Sequence, residues 1–227
     1  MTIRSFVLRQ GRMTDGQERA FETLWPTYGV EVQPGQVFDA QTLFARDCDL
    51  VLEIGFGNGE TLVQMAEAAP ETGFLGIEVH RPGVGHAMLK AQEAGVENLR
   101  IVRHDAVEIL RDHIADDSLA RVQIYFPDPW PKARHHKRRL VQTPFAELLW
   151  RKLRDGGEVH CATDWENYAF AMRDVFQNAA KWRNVGNADG FADKPDFRPQ
   201  TKFERRGLGK GHGVWDLRHV ARKTGTT

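Results

Sequence analysis

A chain of 227 residues with 41% hydrophobic composition holds enough apolar material for a sizeable core, which excludes global disorder and fits one large domain with an added arm. Lys and Arg total 31 and Asp and Glu total 31, a net charge of +0, so any nucleic-acid site must come from uneven placement of charge. Cys48 and Cys161 are too few for a disulfide framework and lack metal-ligand spacing, and no run is long enough to span a bilayer; a reducing, cytoplasmic location with no membrane and no metal is expected.

Residues 1–17 are polar and basic, with Arg4, Arg9 and Arg12, and read as an arm that is disordered without a partner. Residues 21–37 hold Trp25, Pro26, Tyr28, Gly29, Pro34 and Gly35 and read as a loop-rich lead-in packed by aromatics. The expected division is therefore an arm and lead-in over 1–37 and a domain over 38–227.

Asp49-Leu-Val-Leu-Glu-Ile54 is a short apolar run bounded by Gly55, the pattern of a buried strand. Gly55-Phe-Gly-Asn-Gly59 turns the chain into a helix over 60–69 that Pro70 ends. A strand at 74–79, a helix over 84–94 closed by Gly95, a strand at 99–103, a short helix at 107–113 and a strand at 121–126 follow. A helix over 140–153, stopped by Gly156 and Gly157, leads to a fifth strand at 158–162 and a helix at 168–179. Two further strands fit 182–185 and 214–220, separated by a loop at 189–200. No internal repeat is visible. Such alternation implies a mostly parallel sheet with helices on both faces. Ligands then sit beyond the carboxyl ends of the strands, an edge that collects the glycine turn, Glu78, Asp105, Asp128 and Asp164.

The glycine turn is spaced G-x-G-x-G rather than the G-x-G-x-x-G of a dinucleotide site, and Glu53 stands two residues before its first glycine. An acid there is badly placed beside a pyrophosphate and suits a cationic ligand, such as a sulfonium with an amino-acid tail. Glu78 stands where an acid accepts ribose hydroxyls, and Asp105 can accept from an adenine amino group. S-adenosylmethionine is favoured over NAD, with Glu53, Gly55, Gly57, Gly59, Glu78 and Asp105 as its candidate contacts.

The stretch Ile124-Tyr-Phe-Pro-Asp-Pro-Trp-Pro-Lys132 runs strand-forming residues into three prolines spaced two apart. The strand must stop at Phe126, and each residue before a proline is expected to be extended, giving a stiff exposed loop around Asp128 and Trp130. Lys132, Arg134, Lys137, Arg138 and Arg139 follow at once, with His135 and His136 between them. Trp130 reads equally well as a base-stacking group or as a packed loop aromatic.

These motifs resemble the bacterial tRNA (guanine-N7-)-methyltransferase family over most of the chain. The matching residues are the arm motif from Arg4 to Arg12, Glu53 to Gly59, Gly76-Ile-Glu-Val-His80, Asp105-Ala106, Phe126-Pro-Asp-Pro-Trp-Pro-Lys132, His135-His-Lys-Arg138, Ala162-Thr-Asp164 and Thr201-Lys-Phe-Glu204. The resemblance implies a Rossmann-like class I S-adenosylmethionine-dependent methyltransferase fold with a mostly parallel seven-stranded sheet. It further implies methylation of a guanosine in the tRNA variable loop. By the same resemblance Asp128 is catalytic and, with Glu53, Glu78 and Asp105, contacts the cofactor, Lys132, Asp164, Thr201, Lys202, Phe203 and Glu204 touch substrate, and Arg134, Lys137, Arg138 and Arg139 touch RNA. Glu204 is read as orienting the base or pairing with Lys202 or Arg205. The rival readings are a methyltransferase for exocyclic amino groups, a non-catalytic RNA-binding protein of the same fold, and an NAD-dependent oxidoreductase.

Overall fold

Seven strands alternate with helices in the computed structural model, which describes residues 5–6, 11–177, 179–201, 204–205, 209 and 213–223. The strands are β1 (Leu50–Ile54), β2 (Gly73–Ile77), β3 (Leu99–Val102), β4 (Leu119–Tyr125), β5 (Leu153–Thr163), β6 (Trp182–Asn184) and β7 (Trp215–Ala221). They form one sheet in the order β3-β2-β1-β4-β5-β7-β6. All pairings are parallel except those of β7, which runs antiparallel to β5 and β6. The chain order reverses between β1 and β4, so a crevice opens at their carboxyl ends.

Helices cover both faces. On one, α4 (Glu60–Ala68) and α5 (Arg81–Ala94) bury Leu62, Met65, Val84 and Met88. On the other, α6 (Ala106–His113), α7 (Thr143–Lys152) and α8 (Glu166–Gln177) bury Ile109, Leu110, Phe145, Leu149, Tyr168 and Met172. Between them the strands are apolar on both sides, and β1 and β2 are buried at every position. Truncating a fully buried leucine such as Leu52 or Leu75 to alanine costs about 2–5 kcal/mol.

Three local outcomes differ from the sequence reading. The lead-in is helical at its start only: α1 (Asp15–Thr23) and α2 (Trp25–Tyr28) pack Ala20, Leu24 and Tyr28 into the α4–α5 face, residues 30–37 are loop as expected, and α3 (Ala40–Phe44) follows. A capping box starts α1, with Thr14 Oγ1 accepting from the Gln17 N–H and Gln17 Oε1 accepting from the Thr14 N–H. Gly156 and Gly157 do not stop a helix. The helix ends at Lys152, β5 begins at Leu153, and the glycines take up a register shift against β4, Gly156 at φ +72°. Finally, Phe126 and Trp130 precede prolines yet are left-handed, at φ +51° and +44°, rather than extended. Proline disfavours only the right-handed helical region before it, and a left-handed non-glycine residue costs about 1–3 kcal/mol. The loop is bent at both ends.

Candidate active site

A cavity of about 580 Å³ lies at the carboxyl ends of β1, β2 and β4. Glu53, near the end of β1, is 2% exposed. Burial, and then the neighbouring Glu78 carboxylate, push its pKa up to about 8. Its Oε2 has no hydrogen-bond partner among the described residues. Gln123, beside it in register on β4, also lacks a partner there for either amide atom. A buried, unpaired carboxyl group costs free energy unless a cation or donor meets it.

Glu78, just past β2, is fixed by three backbone N–H groups: Gly57 donates to Oε2 at 3.0 Å, and Val79 and His80 donate to Oε1 at 2.6 and 2.9 Å. Oε2 keeps a lone pair for a hydroxyl. Asp105 caps α6, accepting from the Val107 N–H at 2.8 Å, and its side of the cavity adjoins His104 and Ala106. Gly55 and Gly57 are left-handed, at φ +75° and +62°, and a Cβ on either would point into open space. The loop therefore presents bare backbone to the cavity. Gly59 does different work. It is left-handed at φ +77° as the N-cap of α4, it does not line the cavity, and a Cβ there would collide with the Cβ of Ala87 on α5.

Asp128 also lines the cavity, from the bent loop after β4. The loop is held from two sides. Trp130 Nε1 donates to the Ser5 carbonyl at 3.0 Å, and the Arg138 guanidinium lies 3.8 Å over one face of the indole. Trp130 is thus packed on one face and through its N–H, and Ser5 and Phe6 of the arm line the cavity. The basic run forms a 3-10 turn over Ala133–Arg138. Lys132, Arg134 and Lys137 are exposed, whereas Arg139 is 5% exposed. Its Nε donates to the Pro129 carbonyl and its Nη2 to Asn167 Oδ1, both at 2.8 Å, and it lies over the Tyr168 ring. The expectation that Arg139 faces RNA with the rest of the run does not hold, because its guanidinium is consumed inside the protein.

Of the other sequence candidates, Thr201 lines the cavity, and Asp164 follows β5, half-buried, without lining it. Lys202 and Phe203 lie outside the described residues, as do Arg4, Arg9, Arg206 and Lys210. Glu204 is buried and pairs with Arg198. Sequence reasoning missed Tyr125, which lines the cavity from the last position of β4, and His86, whose Nδ1 meets the Asn58 carbonyl at 2.8 Å. Tyr125 carried a signal, since it stands in the strand that runs into the proline loop. Among the described residues no cluster of His, Cys, Asp or Glu is placed to hold a metal ion, and no helix is long and apolar enough to cross a membrane.

A pyrophosphate would leave Glu53 facing like charge; a ligand with a cationic tail satisfies it. On this sheet order, that fit puts the chain among the class I S-adenosylmethionine-dependent methyltransferases. Solved structures share the fold at low identity. The 16S rRNA (adenine(1408)-N(1))-methyltransferase from Catenulisporales acidiphilia, crystallised with S-adenosylmethionine, superposes with a TM-score of 0.57 at 18% identity, over 82% of this chain and 91% of its own. The 16S rRNA methyltransferase KamB gives 0.56 at 15%, over 86% and 98%. The family model described as a putative methyltransferase matches residues 47–217.

Sequence relatives narrow the class. The tRNA (guanine-N(7)-)-methyltransferase of Shewanella oneidensis is 58% identical over 95% of this chain and 90% of its own length. Those of Idiomarina loihiensis, at 53% over 99% and 91%, and Salmonella choleraesuis, at 56% over 95% and 90%, match comparably. The chain belongs to the tRNA (guanine-N7-)-methyltransferase family.

Proposed function

We propose that this chain carries out the reaction its family is named for, methyl transfer from S-adenosylmethionine to N7 of a guanosine in tRNA, at a variable-loop position. The observation that carries the reading is the pairing, in one cavity, of the unpartnered Glu53 carboxyl with Asp128 on the bent loop. The residues fit the cofactor. Glu53 would meet its ammonium group, the Gly55–Gly57 backbone would lie against it, Glu78 would accept from the ribose hydroxyls and Asp105 from the adenine amine.

When bound, S-adenosylmethionine supplies an electrophilic methyl and leaves as a neutral thioether. Guanine N7 has a lone pair and no proton, so no general base is required. As the N–C bond forms, the ring gains a positive charge. Asp128 accepts from the guanine Watson–Crick edge and stabilises that charge. Asp164, at the neighbouring strand end, is a second acceptor for the base. Lys132, Arg134 and Lys137 contact backbone phosphates, giving affinity with little sequence choice.

Arg138 covers one face of the Trp130 indole and Ser5 takes its N–H, so a second aromatic beside the site is a further candidate to stack on the target base or its neighbour. Trp165 follows Asp164 directly and is 38% exposed, one of three large apolar side chains exposed among the described residues. It is assigned that stacking role.

The reading is tested by incubating the protein with S-adenosylmethionine and unmodified tRNA, then analysing nucleosides by mass spectrometry. Appearance of 7-methylguanosine is expected. Methyl on another nucleoside, or none despite cofactor binding, would overturn it.

A further inference from the structure

The segment that brings Thr201 to the cavity is anchored by a buried ionic cluster that nothing above requires for catalysis. Phe197 docks on the sheet between two arginines, with Arg121 Cζ 4.1 Å and Arg218 Cζ 5.6 Å from its ring centroid. The next residue, Arg198, is 1% exposed. Its Nε and Nη2 donate to Asp216 Oδ1 and Oδ2, each at 2.8 Å, while Nη1 and Nη2 donate to Glu204 Oε2 and Oε1 at 2.7 and 3.2 Å.

The cluster reaches the cavity along two arms. Asp216 Oδ1 also meets His160 Nε2 at 2.6 Å. Burial pushes the His160 pKa down. With Asp216 as the acceptor at Nε2, the other ring nitrogen, Nδ1, accepts the Tyr125 hydroxyl at 3.0 Å. On the other arm, Glu204 Oε2 accepts the Thr201 N–H at 3.3 Å and the Glu204 N–H donates to Thr201 Oγ1 at 3.0 Å. Tyr125 and Thr201 line the cavity; Arg198, Glu204 and Asp216 do not. One guanidinium therefore ties two of its walls together.

Glu204 already has both carboxylate oxygens engaged by Arg198 and is 5% exposed. A buried cation between two anions returns less stability than apolar packing of the same volume, so stability alone is a poor reason for it. We propose that Arg198 is a positioning residue for methyl transfer: it fixes Thr201 at the cavity, and Glu204 serves the reaction through Arg198 instead of touching the substrate guanosine. This deepens the preceding reading and rests on it.

The test is a double-mutant cycle of Arg198→Lys and Glu204→Gln, assayed with S-adenosylmethionine and unmodified tRNA. Each single variant is expected to lower kcat/KM for tRNA about tenfold or more, with the cofactor Kd within about twofold of the parent, and the double variant is expected to be no worse than the poorer single. Losses that multiply in the double variant would show that Glu204 makes its own substrate contact and would overturn the proposal, as would unimpaired single variants. Thr201→Val, which keeps the side-chain shape, should reproduce the loss even where the other variants melt below the assay temperature; full activity in Thr201→Val overturns the proposal independently. A parent protein that makes no 7-methylguanosine would instead refute the functional reading.

Discussion

Arg139 closes the active-site loop onto itself: its Nε donates to the carbonyl of Pro129, ten residues earlier, while Nη2 reaches Asn167 on α8. Arg139→Met should therefore act through stability and loop geometry. A loss of about 1.5–3 kcal/mol per charged hydrogen bond is expected, visible as a lower melting temperature. Lys137→Ala and Arg134→Ala should leave melting unchanged and weaken tRNA binding, with the salt slope shallower by about 0.7–0.9 per lost phosphate contact. An Arg139→Met protein of native stability with weakened RNA binding would contradict this division.

Cofactor binding should be linked to the proton on Glu53. With its pKa raised to about 8, the group is mostly neutral at pH 7 in the free protein, and a cationic ligand favours the ionised form. Affinity for S-adenosylmethionine should fall as pH drops below 8, with proton release on binding below that pH. The same shift has a stability consequence. The contribution of neutral Glu53 is fully present below pH 4.5 and is lost as pH rises through about 8, so ligand-free protein loses stability over that window. Calorimetry in two buffers of different ionisation enthalpy reads the proton directly; no release from the parent protein would sink the assignment.

Asp128→Asn keeps the size and a partial acceptor but removes the charge. Turnover should fall about 10²-fold or more, the typical effect of losing one preorganised electrostatic group, with cofactor Kd little changed. Single-turnover kinetics check this; a variant defective only in cofactor affinity would move Asp128 out of the chemical step.

Trp165→Ala should raise KM for tRNA by an amount matching the loss of one stacked base, about 1–3 kcal/mol, while Trp165→Phe retains most of the affinity. The side chain is 38% exposed, so Trp165→Ala also loses packing, whereas Trp165→Phe keeps most of it and should melt close to the parent. Equal loss in both variants would indicate that the indole does something other than stack.

Gly57 and Gly59 should respond differently to alanine. Both are left-handed, which costs a Cβ-bearing residue about 1–2 kcal/mol. At Gly57 the new methyl points into the open cavity, so cofactor affinity suffers most. At Gly59 it meets Ala87, so melting suffers most, and Ala87→Gly should restore part of it. The opposite ranking would mean that the two glycines have been assigned each other's roles.

Much of this site could be read in the chain because its parts are local. Glu53, Glu78, Asp105 and Asp128 stand at or just beyond apolar strands, and strand ends follow from periodicity and glycine or proline stops. What could not be read depends on distant partners. Arg139 looks like one charge in a run until Asn167, 28 residues on, and the Tyr168 ring are folded beside it. The partners of Arg198 include Asp216, 18 residues away across a loop. Helix α1 was hidden in a polar segment, although the Thr14-x-x-Gln17 spacing of its capping box was present. The left-handed turns at Phe126 and Trp130 have no sequence signature, because rigid neighbours on both sides impose them.

The contact of Trp130 with Ser5 gives two segments of the chain unequal standing in the laboratory. A fluorophore attached at Ser5 stands at the cavity wall, where it can obstruct entry of a large polyanion. β7 runs the other way: Trp215 stands beside Thr163 at the cavity edge of the sheet, and Val220 pairs with Glu158 at the opposite edge. A label on a residue beside Val220 therefore stands at the edge of the sheet away from the cavity.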